Sequence, residues 1–361
     1  MLSNINDQAL LVFPAINQHA VNHISWAKEQ GIRVVVASSD VDTDFWIEKE
    51  NLIILPYIYS KDFPDKFLTL IYNENVGKIY SPVVSVYLWL KKFISDNGLR
   101  IRLIGDSPTK SEMNRVDKLL NKVRNFSDFI TDCSDGKSSL SLIEIAAVFR
   151  MSENIYGESN DTKIAAMIAI FSSAPKGDVI EIGSLLGKSA AVLSLMARYY
   201  KVGNVLSIDP WSWEDSQQHD SPEVVSKCME FCWDLEKLPT TFAINLIPIG
   251  LGNFNYMKLK SNQGFLKYKE EKQAISQEFG EIAYAGKISV IHIDGNHDYQ
   301  QVKLDCDLWV PLITSEGWLI IDDYRWAHGD GPFRAGNEIL NKYNEQIKLA
   351  FTCGKALFIT F

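Results

Sequence analysis

The chain has 361 residues, 46% hydrophobic and 22% charged, with a formal net charge of −9, the composition of a soluble globular protein of one or two domains, each able to bury a core. No apolar run reaches the roughly 18 residues of a membrane-spanning helix, and an acidic balance without a long basic run argues against a duplex nucleic-acid partner. Five scattered cysteines make no disulfide framework, and the start, MLSNINDQALLVFPAINQH, has neither a basic n-region nor a small-residue cleavage site; it reads as a first strand, so the cytoplasm is the expected location.

Through the first hundred residues, short apolar runs alternate with amphipathic stretches. ALLVFP (from Ala9), IRVVVASS (from Ile32), NLIILP (from Asn51), KIYSP (from Lys78) and IRLIG (from Ile101) read as strands. Helices are expected from His19 to Glu29, from Phe67 to Asn73 and from Val84 to Ser95. Such alternation implies a mostly parallel sheet with helices on both faces. After the first strand comes PAINQHA, without the glycines of a dinucleotide phosphate turn. The IYSP and LIGDSP segments resemble the small Rossmann-like domain that precedes ATP-grasp folds, although no ATP-grasp domain follows. His19 and His23, at i and i+4, have a metal-binding spacing, but without a nearby carboxylate motif they read as solvent-facing or packing residues. From Asp106 to about Ser159 the chain is polar and then helical (LSLIEIAAVFRM). The expected division is an N-terminal Rossmann-like domain over 1–108, a helical connector over 109–159 and a second α/β domain over 160–361.

GDVIEIGSLLGKSAAVLSLMARYY (from Gly177) places a buried strand, a turn with Gly183 and Gly187, and a helix in succession. Glycines there let backbone approach a ligand, and the helix N-terminus offers free N–H groups. NVLSIDPW then gives a strand ending in Asp209, where an acid typically holds a ribose diol. GSLLGKS is one residue short of a P-loop, and G-x-G-x-x-G is absent; a purely structural glycine turn is the remaining alternative.

After Asp209 comes WSWEDSQQHDSPEVV, whose Trp211 and Trp213 belong either to a lid or to the core, and then a helix with Cys228 and Trp233. Cys228 and Cys232 lie one helical turn apart with no second pair, which favours buried thiols over zinc. FAINLIPIG (from Phe242) reads as a helix and NYMKLKS (from Asn255) as a strand leaving Ser261 and Asn262 at its end. KISVIHIDGNHDYQQVKLDCDLWVPLITSEGWLIIDDYRW (from Lys287) gives a strand ending at Asp294, a helix from Tyr299 to Leu312, a turn at Ser315–Gly317 and a strand ending at Asp322 and Asp323. Parallel neighbouring strands would bring these acids to one sheet edge. Three carboxylates together need a positive partner, and oxygen-only ligation suits Mg²⁺; alternatively Asp322 and Asp323 cap the next element and Asp294 makes an Asx-turn with Gly295. One helix (AGNEILNKY) and two strands, IKLAFTC and KALFITF, close the chain.

EIGSLLGKS followed by SIDPW resembles motif I and the acidic second-strand motif of class I S-adenosylmethionine-dependent methyltransferases, with Leu185 where the commoner motif has its middle glycine. The resemblance implies an α/β fold: a C-terminal Rossmann-like methyltransferase sheet with an antiparallel terminal hairpin, preceded by a smaller Rossmann-like α/β domain. It also implies that Glu181, Gly183 and Gly187 line the methionine part of the donor with Ser189 nearby, that Asp209 binds the ribose, and that Ser261 and Asn262 contact adenine. With IDG-x-H-x-Y and IDDY in order, the stretch from Gly177 onward resembles the sugar and macrolide O-methyltransferase branch, which includes macrocin O-methyltransferase-like and cephalosporin hydroxylase-like proteins. By that likeness Asp294, which also borders the donor, binds Mg²⁺ with Asp322 and Asp323, and the ion chelates the acceptor's oxygens. Where some relatives carry an acid as base this chain has Asn296, which leaves His297 as the expected base and His328 as a second candidate. The expected activity is O-methylation of a small-molecule or glycan acceptor. The alternatives are a metal-dependent hydroxylase, which needs two histidines and a carboxylate on iron, and a non-catalytic binding or assembly subunit. The N-terminal domain is expected to recognise the acceptor or to mediate self-association as a homo-oligomer.

Overall fold

A computed structural model describes residues 8–40, 51–134, 136–137, 139–227 and 234–361. The chain divides into two compact units, Met1–Lys118 and Leu119–Phe361. The first alternates β1 (Ala9–Val12), α1 (Gln18–Glu29), β2 (Val34–Ser38), β3 (Leu52–Ile54), α2 (Phe63–Asn73), β4 (Val76–Tyr80), α3 (Val84–Asp96) and β5 (Arg102–Leu103). Its sheet has the order β3-β2-β1-β4-β5, with every pairing parallel. Successive β1 side chains point to opposite faces, and both faces are covered. Ala9, Leu11 and Phe13 join one apolar cluster, and Leu10 and Val12 another. His19 is exposed, while His23 stacks on Tyr80 with ring centroids 3.8 Å apart.

The second unit gathers the C-terminal part of α4 (Pro108–Cys133) with α5 (Leu142–Glu153) and α6 (Asp161–Ile170) around its sheet. Val123, Ile130, Ile145 and Phe149, from the segment read as a helical connector, enter its core. α5 starts at a capping box, Ser141 with Glu144. The sheet has the order β13-β14-β12-β11-β6-β7-β8. Its strands are β6 (Asp178–Ile182), β7 (Val205–Ile208), β8 (Phe254–Met257), β11 (Ile288–Ile293), β12 (Ile313–Ile321), β13 (Leu349–Cys353) and β14 (Ala356–Thr360). All pairings are parallel except those of β14, which runs antiparallel to both β12 and β13. This is the Rossmann-like sheet with a terminal hairpin that the resemblance implied. Between the strands run α7 (Lys188–Tyr199), the one-turn helices α8 (Trp213–Ser216) and α9 (Glu223–Ser226), α10 (Leu238–Gly250), α11 (Ser261–Glu271), α12 (Tyr299–Trp309) and α13 (Gly331–Lys342).

Two details differ from expectation. The turn at Ser315–Gly317 lies inside β12 as an irregularity. Pairing jumps from Ile288↔Ile313 to Val290↔Trp318, with Glu316 at a φ of 68°. A small antiparallel sheet, β9 (Gln273–Ser276) with β10 (Gly280–Ala283), went unread in the sequence. It is tied down by the buried Asn255 amide, which donates to the carbonyls of Ala274 and Gly280. Cys228, Cys232 and Trp233 lie outside the described residues. Among the described residues no helix is long and apolar enough to cross a membrane.

Candidate functional site

The turn between β6 and α7 is shaped by two glycines in the left-handed region, Gly183 (φ 81°) and Gly187 (φ 88°). A Cβ at Gly183 would lie 2.1 Å from the carbonyl oxygen of Asp294; one at Gly187, the N-cap of α7, would lie 2.2 Å from Leu246 Cδ2. Leu185, standing where the commoner motif has glycine, also adopts a positive φ of 47°, at a cost of roughly 1–2 kcal/mol. The Asp209 carboxylate pins the turn. Oδ2 accepts from the Ser184 and Leu185 amides (2.7 and 3.0 Å), and Oδ1 accepts from the Trp211 amide (2.7 Å). Burial raises the Asp209 pKa and these amides oppose the rise.

Glu181 is fully buried under the same turn. Its Oε1 accepts from Ser189 (2.6 Å), and its Oε2 accepts from Ser184 and Ser207 (2.8 Å each). The carboxylate is thus spent on holding the loop from below, and neither Glu181 nor Gly187 lines the cavity above it. Trp211 is buried, packs on Phe242 and Tyr256, and donates to the Leu185 carbonyl (2.9 Å), so it belongs to the core under the turn.

That cavity, of about 610 Å³, opens at the C-terminal ends of the parallel strands. Gly183, Ser189, Asp209, Ser261 and Asn262 line one part of it; Asp294, Asn296, His297, Asp322, Asp323 and His328 line another. Ser261 and Asn262 open α11 rather than ending a strand, and the Ser261 hydroxyl accepts from Trp309 Nε1 (3.0 Å). The insertion after Asp209 is strapped across by the β11 loop. Asn296 Nδ2 donates to the carbonyls of Asp215 and Gln217 (3.0 and 2.6 Å), and Asp298 accepts from the amides of His219 and Asp220. A carboxylate at position 296 could donate to neither carbonyl.

The acidic end centres on a residue that sequence reasoning passed over. Lys163 of α6 has a side chain 1% exposed, with its Nζ 3.3 Å from Asp294 Oδ2 and in contact with Asp322 Oδ2. His292 of β11, likewise passed over, is fully buried. Its Nδ1 is 3.4 Å from Glu181 Oε1, and its Nε2 is 3.7 and 3.9 Å from the same oxygens of Asp294 and Asp322. His297 Nε2 sits 3.8 Å from Asp294 Oδ1 and 3.6 Å from Asp323 Oδ2, and among the described residues neither of its ring nitrogens has a hydrogen-bond partner. The His297 ring meets Trp326 edge-on at 4.7 Å, and the His328 ring meets the same indole edge-on at 5.4 Å.

The expected single group of three aspartates is therefore divided. His292, Asp294 and Asp322 converge on one side, and Asp294, His297 and Asp323 on the other. Burial alone would raise Asp294, but the Lys163 ammonium and the histidines hold it well below the carboxylate range; burial and the Asp294 charge raise Asp322. Burial would lower His297, yet the surrounding aspartates raise it above 6.5. Asp305 of α12 also lines the cavity, bonded by Gln301 Nε2 (3.2 Å), and burial pushes it up to about 7. The trace of Lys163 in the sequence is a lone cation in the otherwise apolar run KIAAMIAIF.

Residues 180–324 match a family model described as a methyltransferase domain. No curated protein matches the chain. Among solved structures it is similar to CalS11, a calicheamicin methyltransferase, at 12% identity and a TM-score of 0.41 over 72% of this chain and 95% of that one. It is similar to the O-methyltransferase NovP at 13% identity and a TM-score of 0.36, over 62% of this chain and 82% of that one. An O-methyltransferase from Bacillus cereus, in complex with SAH, aligns at 12% identity and a TM-score of 0.37 over 60% of this chain and 89% of that one.

Proposed function

We propose that this chain, whose second unit carries a class I methyltransferase domain, moves a methyl group from S-adenosylmethionine to a hydroxyl oxygen of a sugar, glycoside or similar polar metabolite. One observation carries the reading: a single cavity joins the glycine turn and Asp209 to a partly buried histidine held between carboxylates. The donor, when bound, supplies a sulfonium-activated methyl group that needs alignment more than activation. Asp209 has unused lone pairs for the ribose hydroxyls, Gly183 leaves room for backbone approach to the methionine part, and Ser261 with Asn262 borders the adenine. Glu181 positions the turn through three hydroxyls, and Ser189 is one of these.

His297 is the base of this proposal. Its Nε2 takes the acceptor's hydroxyl proton as the oxygen bonds to the methyl carbon and the carbon–sulfur bond breaks. The positive charge that began on sulfur ends on the imidazole, where Asp294 and Asp323 neutralise it. A Mg²⁺ ion shared by Asp294, Asp322 and Asp323 does not fit these residues. The Oδ2 atoms of Asp294 and Asp322 both close on Lys163, and Asp323 groups with Asp294 and His297 and not with Asp322. Proton transfer in this proposal is carried by the chain's own groups. The hydroxylase alternative finds less support, because neither histidine–carboxylate group contains two histidines.

The deciding experiment is calorimetric titration of the purified protein with S-adenosylhomocysteine, with ATP as comparator. Micromolar binding of the first and none of the second is expected. Absence of S-adenosylhomocysteine binding would leave a binding or assembly subunit as the better reading.

A further inference from the structure

An ammonium buried on an apolar helix costs several kcal/mol unless opposite charges meet it, and Lys163 is met twice, by Asp294 at the end of β11 and by Asp322 at the end of β12. The surroundings fix where that ammonium lies. The Asn160 side chain caps α6 through the Lys163 amide (2.9 Å). Gly354, at a φ of 55° in the β13–β14 turn, lies against the same cap, so close that a Cβ there would come within 2.5 Å of Asn160 Oδ1, 2.6 Å of the Lys163 backbone nitrogen and 2.8 Å of the Lys163 Cβ. His292 Nε2, buried and without a hydrogen-bond partner among the described residues, completes the ring around the same two carboxylate oxygens. Two carboxylate oxygens and an imidazole nitrogen within reach of one another are a divalent-ion ligand set, and the lysine nitrogen stands among them.

We infer that Lys163 is the resident cation of this acidic cluster, its ammonium standing where a divalent ion would bridge Asp294 and Asp322. Held by its Oδ2, Asp294 turns Oδ1 toward His297; the catalytic meaning of that orientation rests on the methyltransferase reading, whereas the cation itself does not. Lys163 is thereby a positioning residue. A metal ion approaching the pair meets a fixed positive charge and two oxygens already engaged.

The test is direct binding of Mn²⁺ to the chelator-treated full-length protein, followed by calorimetry and by the loss of the free-ion electron paramagnetic resonance signal. The wild type is expected to show no saturable binding up to about 1 mM. Lys163→Met, which leaves the carboxylates without their cation, is expected to gain Mn²⁺ affinity by roughly tenfold or more, while Lys163→Arg behaves as the wild type. Micromolar binding by the wild type, or no gain in a folded Lys163→Met, overturns the inference. Should Lys163→Met not fold, the melting temperature of the wild type decides: Mn²⁺ is expected to leave it unmoved. A saturating rise at micromolar Mn²⁺ that Asp322→Asn abolishes overturns the inference. The S-adenosylhomocysteine titration separates the two claims. Its failure alongside the expected Mn²⁺ result removes the methyltransferase reading and leaves Lys163 in its role.

Discussion

His297 and Asp209 border the same cavity and face opposite electrostatic problems. The imidazole is partly buried among carboxylates, which stabilise its charged form, so it holds its proton at pH values where an ordinary histidine, near 6.5, has begun to lose it. A base must be neutral before it can accept a proton. We therefore expect kcat to rise with pH through a midpoint above 6.5, and His297→Ala to lower kcat by about 10²–10⁴-fold while flattening that rise. Asp209 is a partly buried carboxylate stabilised by three amides. Asp209→Ala should weaken S-adenosylhomocysteine binding by about 1.5–3 kcal/mol, tenfold or more by calorimetry.

Asp305 makes a claim about stability alone. Its folded pKa of about 7 exceeds the ordinary 3.8, so the folded state binds the extra proton between these values and stability falls as pH rises through them. At about 1.4 kcal/mol per pH unit, the wild type carries a penalty of roughly 4 kcal/mol above pH 7. Asp305→Asn should unfold at higher urea than the wild type at pH 8, with the advantage vanishing near pH 4. Asp294, His297, Asp322 and Asp323 were legible as a site because each lies within a few residues of a strand end. Lys163 and His292 were not, because their apolar neighbours mark them only as parts of a core helix and a core strand.

At the scale of elements, the glycine turn has little freedom. Gly183 combines a left-handed φ with a neighbour 2.1 Å from any added Cβ, whereas a Cβ on Gly295 would rest 3.6 Å from Ile182 Cγ2 in ordinary contact. Gly183→Ala is expected to cost about 1–3 kcal/mol in thermal unfolding and to weaken donor binding, and Gly295→Ala to change stability by less than about 1 kcal/mol. A similar melting temperature for the two variants would contradict this account of the turn. The strand–glycine–helix unit could be read beforehand because apolar periodicity and glycine placement are local properties. The β9–β10 hairpin could not. QAISQEFGEIA never has more than two apolar residues in a row, and the Asn255 amide that organises it comes from an earlier strand. Asn296 was read as the loss of an acid, and its two donors turn out to hold the insertion's backbone.

At the scale of the molecule, each unit buries its own sheet. A ligand of the cavity, which is lined entirely from the second unit, should stabilise that unit, by about 2.7 kcal/mol at a concentration a hundred times its Kd. Hydrogen exchange with saturating S-adenosylhomocysteine is expected to slow in β6, β7 and β11 and to leave β1, β2 and β4 unchanged. Protection confined to the first unit would place the donor elsewhere.

The linear order of apolar runs and glycines showed two strand–helix alternations, the family resemblance supplied the sheet with its hairpin, and the strand-end positions of Asp209, Asp294, Asp322 and Asp323 made them candidates for one edge. These are consequences of near neighbours along the chain and of the rule that parallel strands present their ends together. The charge balance of that edge was settled by folding. Lys163 lies 131 residues from Asp294 and 159 from Asp322, and no spacing or periodicity links positions so far apart. The sheet order brings β11 beside β12, and the Gly354 turn presses α6 against their ends. Burial then leaves the ammonium no stable place except between the two carboxylates.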